Sequence, residues 1–117
     1  MSANPGATQS VIDSHLRAFF GKSVDLVLRD YTEESVLIVP DATLHGLAPI
    51  RRFFDAFIGT LPEGFLDAFE LRRREFAGEL GYIVWEAAPW VRLGTDTFLV
   101  RDGRIALQTF AAYPPPS

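Results

Sequence analysis

The chain has 117 residues, 48% of them apolar and 22% charged, with a net charge of −4. That length and balance suit one globular domain and exclude disorder, and the acidic balance leaves no basic footprint for nucleic acid. There is no cysteine, so disulfides and thiol chemistry are excluded, and no run of about eighteen apolar residues exists to span a membrane as a helix.

Residues 1–7, from Met1 to Ala7, contain Asn, Pro and Gly and read as a flexible tail. They lack the basic-then-apolar pattern of a secretion signal, so the expected location is the cytoplasm. Thr8 or Ser10 is placed to cap a first helix, whose stripe is Ile12, His15, Leu16 and Phe19, with Gly21 as its stop. Ser23 caps a second, short helix with Asp25 in its first turn, running to Asp30-Tyr31. Val36 to Val39 is a β-rich run, Pro40-Asp41 is turn chemistry, and Thr43 to His45 returns as a partner strand. Gly46 breaks the chain and Pro49 lies near the start of a third helix, striped by Ile50, Phe53, Phe54, Phe57 and Ile58. Gly59 to Gly64 closes that helix.

The second half reads as four strands: Phe69–Ala77, Tyr82–Ala88, Leu93–Arg101 and Arg104–Tyr113. Pro114 to Ser117 is a Pro-rich tail, leaving residues 8–113 as the single domain. Helices first and an antiparallel sheet afterwards define an α+β protein, with three helices packed on one face of the sheet. Arg72-Arg73-Arg74 is the one basic run, and a strand sends its members to alternate faces, so it makes no single patch.

Asp102-Gly103 is a two-residue hairpin turn. Counting back from it pairs Val100 with Ile105, Phe98 with Leu107 and Asp96 with Thr109. Side-chain alternation then groups Asp96, Phe98, Val100, Ile105, Leu107 and Thr109 on the covered face. Thr97, Leu99, Ala106, Gln108 and Phe110 fall on the outer face, a mixed surface suited to a homodimer. Asp96 on the covered face either bonds Thr109, Thr95 or a loop amide, or works as an acid in a pocket.

Three segments resemble the SnoaL-like and ketosteroid isomerase-like branch of the nuclear transport factor 2-like superfamily. They are Tyr31-Thr32-Glu33-Glu34-Ser35-Val36-Leu37, then Gly46-Leu47-Ala48-Pro49-Ile50-Arg51-Arg52-Phe53-Phe54, then Gly94-Thr95-Asp96-Thr97-Phe98 continuing through Asp102-Gly103-Arg104-Ile105. The resemblance spans roughly Val11 to Tyr113. It implies a cone in which helices cover a strongly curved sheet around a pocket, usually as a homodimer through the sheet's outer face. It places Asp96 at the isomerase's protonated, hydrogen-bond-donating Asp and Trp85 at a pocket-lining aromatic. The isomerase's general base falls at Val39, which cannot move a proton, and the Tyr of its oxyanion hole is missing from a region that holds His15, Ala18 and Phe19. A true ketosteroid isomerase is therefore not implied. The Asp–Arg–Asp set of limonene epoxide hydrolase-like enzymes is missing as well.

The resulting expectation is a pocket for a small apolar or aromatic carbonyl compound, with Asp96 and His15 as the candidate catalytic pair. Its expected walls are Trp85, Phe19, Tyr31, Phe53, Phe57, Phe98 and Val39. His15 is either that acid–base partner or a satisfied core residue, and Tyr31 either donates into the pocket or anchors its hydroxyl in the core. His45 is a candidate for the pocket mouth, and Glu86 is an outer charge. Cofactor-independent proton transfer of isomerase or cyclase type is the active reading, and a non-catalytic ligand-binding or dimerising module is the other. No cofactor, metal, nucleic acid or membrane is expected: two histidines without a ligand cluster make no zinc site, and no phosphate loop, dinucleotide fingerprint or nucleophile elbow is present.

Overall fold

The computed structural model describes residues 5–114. The expected tails fall largely outside that range: residues 1–4 and 115–117 lie outside the described residues, while residues 5–7 are helical. Helix α1 runs Pro5–Phe20, four residues earlier than a cap at Thr8 would allow. Pro5 fits a first helical position because its missing N–H would be unpaired there anyway. Thr8 does not cap; it is buried within the helix and its hydroxyl donates to the Gly78 carbonyl at 2.7 Å, tying α1 to the turn between two strands. Helix α2, Val24–Leu28, is capped as expected, with the Ser23 side chain accepting from the Leu26 amide.

Strands β1 (Val36–Val39) and β2 (Ala42–His45) form a hairpin. Helix α3 is Leu47–Gly59. Gly46 enters it at φ 85°, and Glu33 accepts from the Leu47 amide at 3.1 Å, so an acid from the preceding loop serves the helix start. An additional turn, α4 (Phe65–Ala68), follows and buries Phe65; the sequence reading has only a loop before the next strand. Strands β3 (Phe69–Ala77), β4 (Leu80–Ala87), β5 (Val91–Arg101) and β6 (Arg104–Tyr113) complete one sheet in the order β2-β1-β6-β5-β4-β3. All neighbours are antiparallel except β1 and β6, which run parallel.

The register of β5 and β6 corrects the hairpin count. Arg101 faces Arg104 and Val100 faces Ile105, but Leu99 faces Leu107, so Ala106 is an extra residue. Past this bulge Phe98 pairs with Gln108 and Asp96 with Phe110. Gln108 and Phe110 therefore turn inward, whereas Leu107 and Thr109 turn outward, the reverse of the simple alternation. Beside the bulge, the Ile105 N–H donates to the Asp30 carbonyl and the Ile105 carbonyl accepts from the Ser35 hydroxyl, each at 2.6 Å, which anchors the start of β6 to the segment before β1. A bulge both flips the faces beyond it and sharpens the local bend.

The helices lie on the concave face, where Ile12, Leu37, Ile50, Ile83, Phe98 and Ile105 are wholly buried. The arginine run sits on the edge strand β3, each member with an acidic neighbour: Arg72 with Glu70 and Glu86, Arg73 with Glu75, Arg74 with Asp13. Such exposed pairs add little stability, but a charged edge discourages pairing with a foreign strand. No described helix is long and apolar enough to cross a membrane.

Candidate functional site

Trp85 and Gly94 are cross-strand partners on β4 and β5. A Cβ on Gly94 would stand 2.2 Å from the indole, so only glycine lets the ring lie flat across β5. In that position the indole N–H donates to Oδ1 of Asp96, two residues further along the same face, at 2.9 Å. Gln108, brought inward by the bulge, donates from Nε2 to the other carboxylate oxygen at 2.8 Å. Its own carbonyl accepts from the Tyr31 hydroxyl. The Tyr31 oxygen lies 3.5 Å from Nδ1 of His15 on α1. One polar chain thus links Trp85, Asp96, Gln108, Tyr31 and His15 under the helices.

The chain's donors and acceptors assign its protons. Tyr31 spends its single proton on Gln108, so a lone pair on Nδ1 would face a lone pair on the phenolic oxygen. The imidazole avoids that clash by carrying its proton on Nδ1, which leaves Nε2 as an acceptor. No buried side-chain nitrogen or oxygen among the described residues lacks a partner, and Nε2 makes no bond, so it opens onto the cavity.

Burial governs the titration of all three acids and bases. Asp96 is 6% exposed, and loss of hydration raises its pKa from 3.8 to about 6, against the lowering effect of the Trp85 and Gln108 bonds. His15 is 5% exposed among Tyr31, Phe54 and Phe98, and burial lowers its pKa to about 4. Burial also pushes the Tyr31 hydroxyl well above its usual value, with Asp96 and Asp30 adding to the effect. Near neutral pH Asp96 is mostly a carboxylate and His15 is neutral.

A cavity of about 40 Å³ adjoins this chain. Its buried floor is His15, Phe54, Ile83, Trp85, Asp96 and Gln108. Its half-buried rim is Leu16, Phe53, Phe57, Phe69 and Phe110, with Phe19 stacked on Phe57. Phe69 and Phe110 both stack with Trp85, at interplanar angles of 21° and 13°. The space accepts a water or two; an apolar cavity of roughly 150 Å³ is needed to hold benzene. A ring-sized ligand enters only if rim phenylalanines turn aside.

Of the expected site residues, Asp96, His15, Trp85, Phe19, Phe53 and Phe57 line the cavity. Three do not. Tyr31 is buried behind the lining with its hydroxyl committed to Gln108. Phe98 is fully buried against His15, beneath the cavity. Val39, at the end of β1, is outside the lining. His45 ends β2 on an exposed position away from the cavity, and Glu86 bonds Arg72 on the outer side. Sequence reasoning missed Leu16, Phe54, Phe69, Ile83, Gln108 and Phe110 as lining. Ile83 was within reach, since it shares the face of Trp85 by alternation. Gln108 and Phe110 had a fainter signal: Ile105 and Phe110 are an odd number of residues apart, so burying both requires a bulge. Among the described residues no group of three His, Asp or Glu comes together to hold a metal.

No protein-family model and no curated protein matches the chain. Solved structures do. A nuclear transport factor 2-like protein of unknown function from Burkholderia xenovorans superposes with a TM-score of 0.75 at 17% identity, covering 96% of this chain and 87% of that one. A candidate ketosteroid isomerase from Kribbella flavida gives 0.73 at 16% identity, covering 98% and 86%. A SnoaL-like protein of unknown function from Burkholderia thailandensis gives 0.73 at 14% identity, covering 96% and 98%. The chain has the α+β fold of the nuclear transport factor 2-like superfamily, as found in its SnoaL-like and ketosteroid isomerase-like members.

Proposed function

We propose that the cavity binds a small apolar or aromatic carbonyl compound and that Asp96 transfers a proton on it without a cofactor. One observation carries this reading: the carboxyl of Asp96 is buried in the wall of a cavity otherwise lined almost entirely by hydrocarbon. Isolated carboxyls are costly in such surroundings, and this one is held by two N–H donors rather than neutralised by a cation. Its pKa of about 6 leaves it ionised at neutral pH yet more basic than an ordinary carboxylate, which suits removal and return of a proton beside a carbonyl. His15, at about 4, is the weaker base by roughly a hundredfold, so it serves as an acceptor beside Asp96 rather than as the proton carrier.

The candidate ketosteroid isomerase of Kribbella flavida and a candidate polyketide cyclase of Sinorhizobium meliloti share the fold and are in keeping with proton-transfer chemistry. The test is deuterium exchange next to the carbonyl of acetophenone, followed by NMR. Wild-type protein accelerates exchange, and Asp96→Asn, nearly identical in shape, loses at least a hundredfold of that acceleration. Equal exchange in both proteins defeats the catalytic reading. A second reading, ligand binding without turnover, draws on the fact that both Asp96 oxygens already hold hydrogen bonds; it predicts binding of acetophenone with no exchange above solvent.

Self-association through the outer sheet face belongs to the same proposal. With Gln108 and Phe110 turned inward, that face on β5 and β6 carries Leu93, Thr95, Thr97, Leu99, Leu107, Thr109, Ala111 and Tyr113, with charge only at Arg101 and Arg104 beside the hairpin turn.

A further inference from the structure

The hydrogen-bond inventory of the cavity narrows the ligand, provided the cavity is a ligand site at all. Trp85 spends its only N–H on Asp96, and Tyr31 spends its hydroxyl proton on Gln108 outside the lining. His15 turns a bare Nε2 to the cavity. Asp96 retains unused lone pairs on both oxygens. The other lining residues are Leu, Ile and Phe, which offer nothing polar. The single side-chain donor left over is the second amide proton of Gln108.

A ketone or an ether can only accept, and the walls are rich in acceptors. A carbonyl oxygen set against the Asp96 carboxylate would be repelled, and the carboxylate would stay unpaired in a dry site. A hydroxyl both donates and accepts: its proton goes to Asp96 and its oxygen takes the spare Gln108 N–H. Space sets the second limit. With about 40 Å³ open and Phe53, Phe57 and Phe110 at the rim, each added ring requires further displacement of these side chains, so small ligands are favoured.

We infer that the form this cavity selects is a single-ring or smaller hydroxyl compound, a phenol or the enol tautomer of a small carbonyl compound, held by its O–H on the Asp96 carboxylate. This deepens the proton-transfer reading, because an enol so held is the intermediate of the exchange. Gln108 becomes the positioning residue: locked between Tyr31 and Asp96, it keeps an N–H aimed at the carboxylate and so keeps the carboxylate an acceptor.

The titratable groups at the cavity are few. His15 comes from α1, Asp96 from β5, and Tyr31 from the loop after α2 stands behind them. The lining residues of α3, β3, β4 and β6 are uncharged. Protonating Asp96 thus adds the one new donor, and ketones gain on hydroxyl compounds as pH falls.

The experiment is fluorine NMR titration of the full chain with para-fluorophenol, para-fluoroanisole and para-fluoroacetophenone. At about pH 8 the phenol binds at least tenfold more tightly than the anisole and the ketone, and at about pH 5 its advantage over the ketone shrinks at least threefold. Asp96→Asn, whose amide donates as well as accepts, removes the advantage at both pH values; Gln108→Leu reduces it. Anisole or ketone binding as tightly as the phenol at pH 8 overturns the hydroxyl preference while leaving the pocket reading standing. Failure of all three to bind at millimolar concentration overturns both.

Discussion

The two faces of the β5–β6 ribbon come from the same residues taken alternately, yet they are chemically unlike. The inner face carries Gly94, Asp96, Phe98, Val100, Ile105, Gln108 and Phe110, all buried or half-buried beneath helices and joined by directed bonds. The outer face is threonine, leucine, alanine and tyrosine, half-exposed at its middle and exposed at Leu93, Ala111 and Tyr113, with no helix over it. On the inner side each position has one specified partner, so a change there propagates to the cavity. On the outer side contacts are non-directional, and what they do depends on whether a second surface covers them. Burial alone does not separate the faces; the commitment of each polar group does.

The comparison breaks most visibly at Phe98. Phe98→Ala costs about 4 kcal/mol by removing a fully buried ring from beneath His15, whereas Leu99→Ala, its half-exposed neighbour, costs less than about 1 kcal/mol. Urea denaturation of the pair measures both, and equal losses would mean the outer face is as tightly covered as the inner.

Acid titration sharpens the role of the polar chain. Asp96 has a raised folded pKa, so its contribution to stability is present below about pH 4 and is lost as pH rises through about 6. His15 has a lowered folded pKa, about 4 against 6.5, so the folded state takes up its proton reluctantly; stability is lost as pH falls through 6.5 towards 4. Each effect amounts to roughly 3 kcal/mol and they oppose one another across nearly the same interval. Asp96→Asn therefore shows stability, relative to wild type, rising with pH from 4 to 6.5. His15→Gln shows the opposite relative slope between 4 and 6. Denaturant midpoints across that range are the readout, and matching slopes in the two variants would disprove burial as the cause of the shifts.

Gly94→Ala is the next step down. The added methyl meets the Trp85 indole at 2.2 Å, so the ring must shift and loosen its bond to Asp96. The expected cost is about 2 kcal/mol, with a change in Trp fluorescence; an unaltered spectrum and stability would show that the close approach has slack. The smallest folding effect belongs to Leu99→Lys on the outer face. It changes monomer stability by less than about 1 kcal/mol but abolishes self-association if two sheets meet there. Sedimentation of wild type and variant decides the matter, and a wild type that sediments as a 13 kDa particle removes the dimer from the proposal.

Most of the architecture was legible because it is written in short-range terms. Asp102-Gly103 marks its turn, with Asp102 at φ 52° and Gly103 at 75°. Ser23 caps α2, and β3 and β6 have the limits read from the sequence, Phe69–Ala77 and Arg104–Tyr113. The inward direction of Asp96 also followed, because its distance from the turn along β5 involves no irregularity on that strand before it. The sequence did not disclose Gln108, Phe110 or the parallel pairing of β1 with β6. The pairing joins segments about seventy residues apart, and neither it nor the position of the bulge at Ala106 is set by a propensity or turn signal.

Alternation and turn chemistry by themselves determined the order of elements, the fold class and one buried acid. Only the assembled molecule decided what that acid touches. The extra residue Ala106 swings Gln108 inward onto Asp96, and Asp30 and Ser35 hold both backbone groups of Ile105 beside it. One extra residue in a strand reverses which side chains face inward beyond it, and so sets which of them meet the cavity.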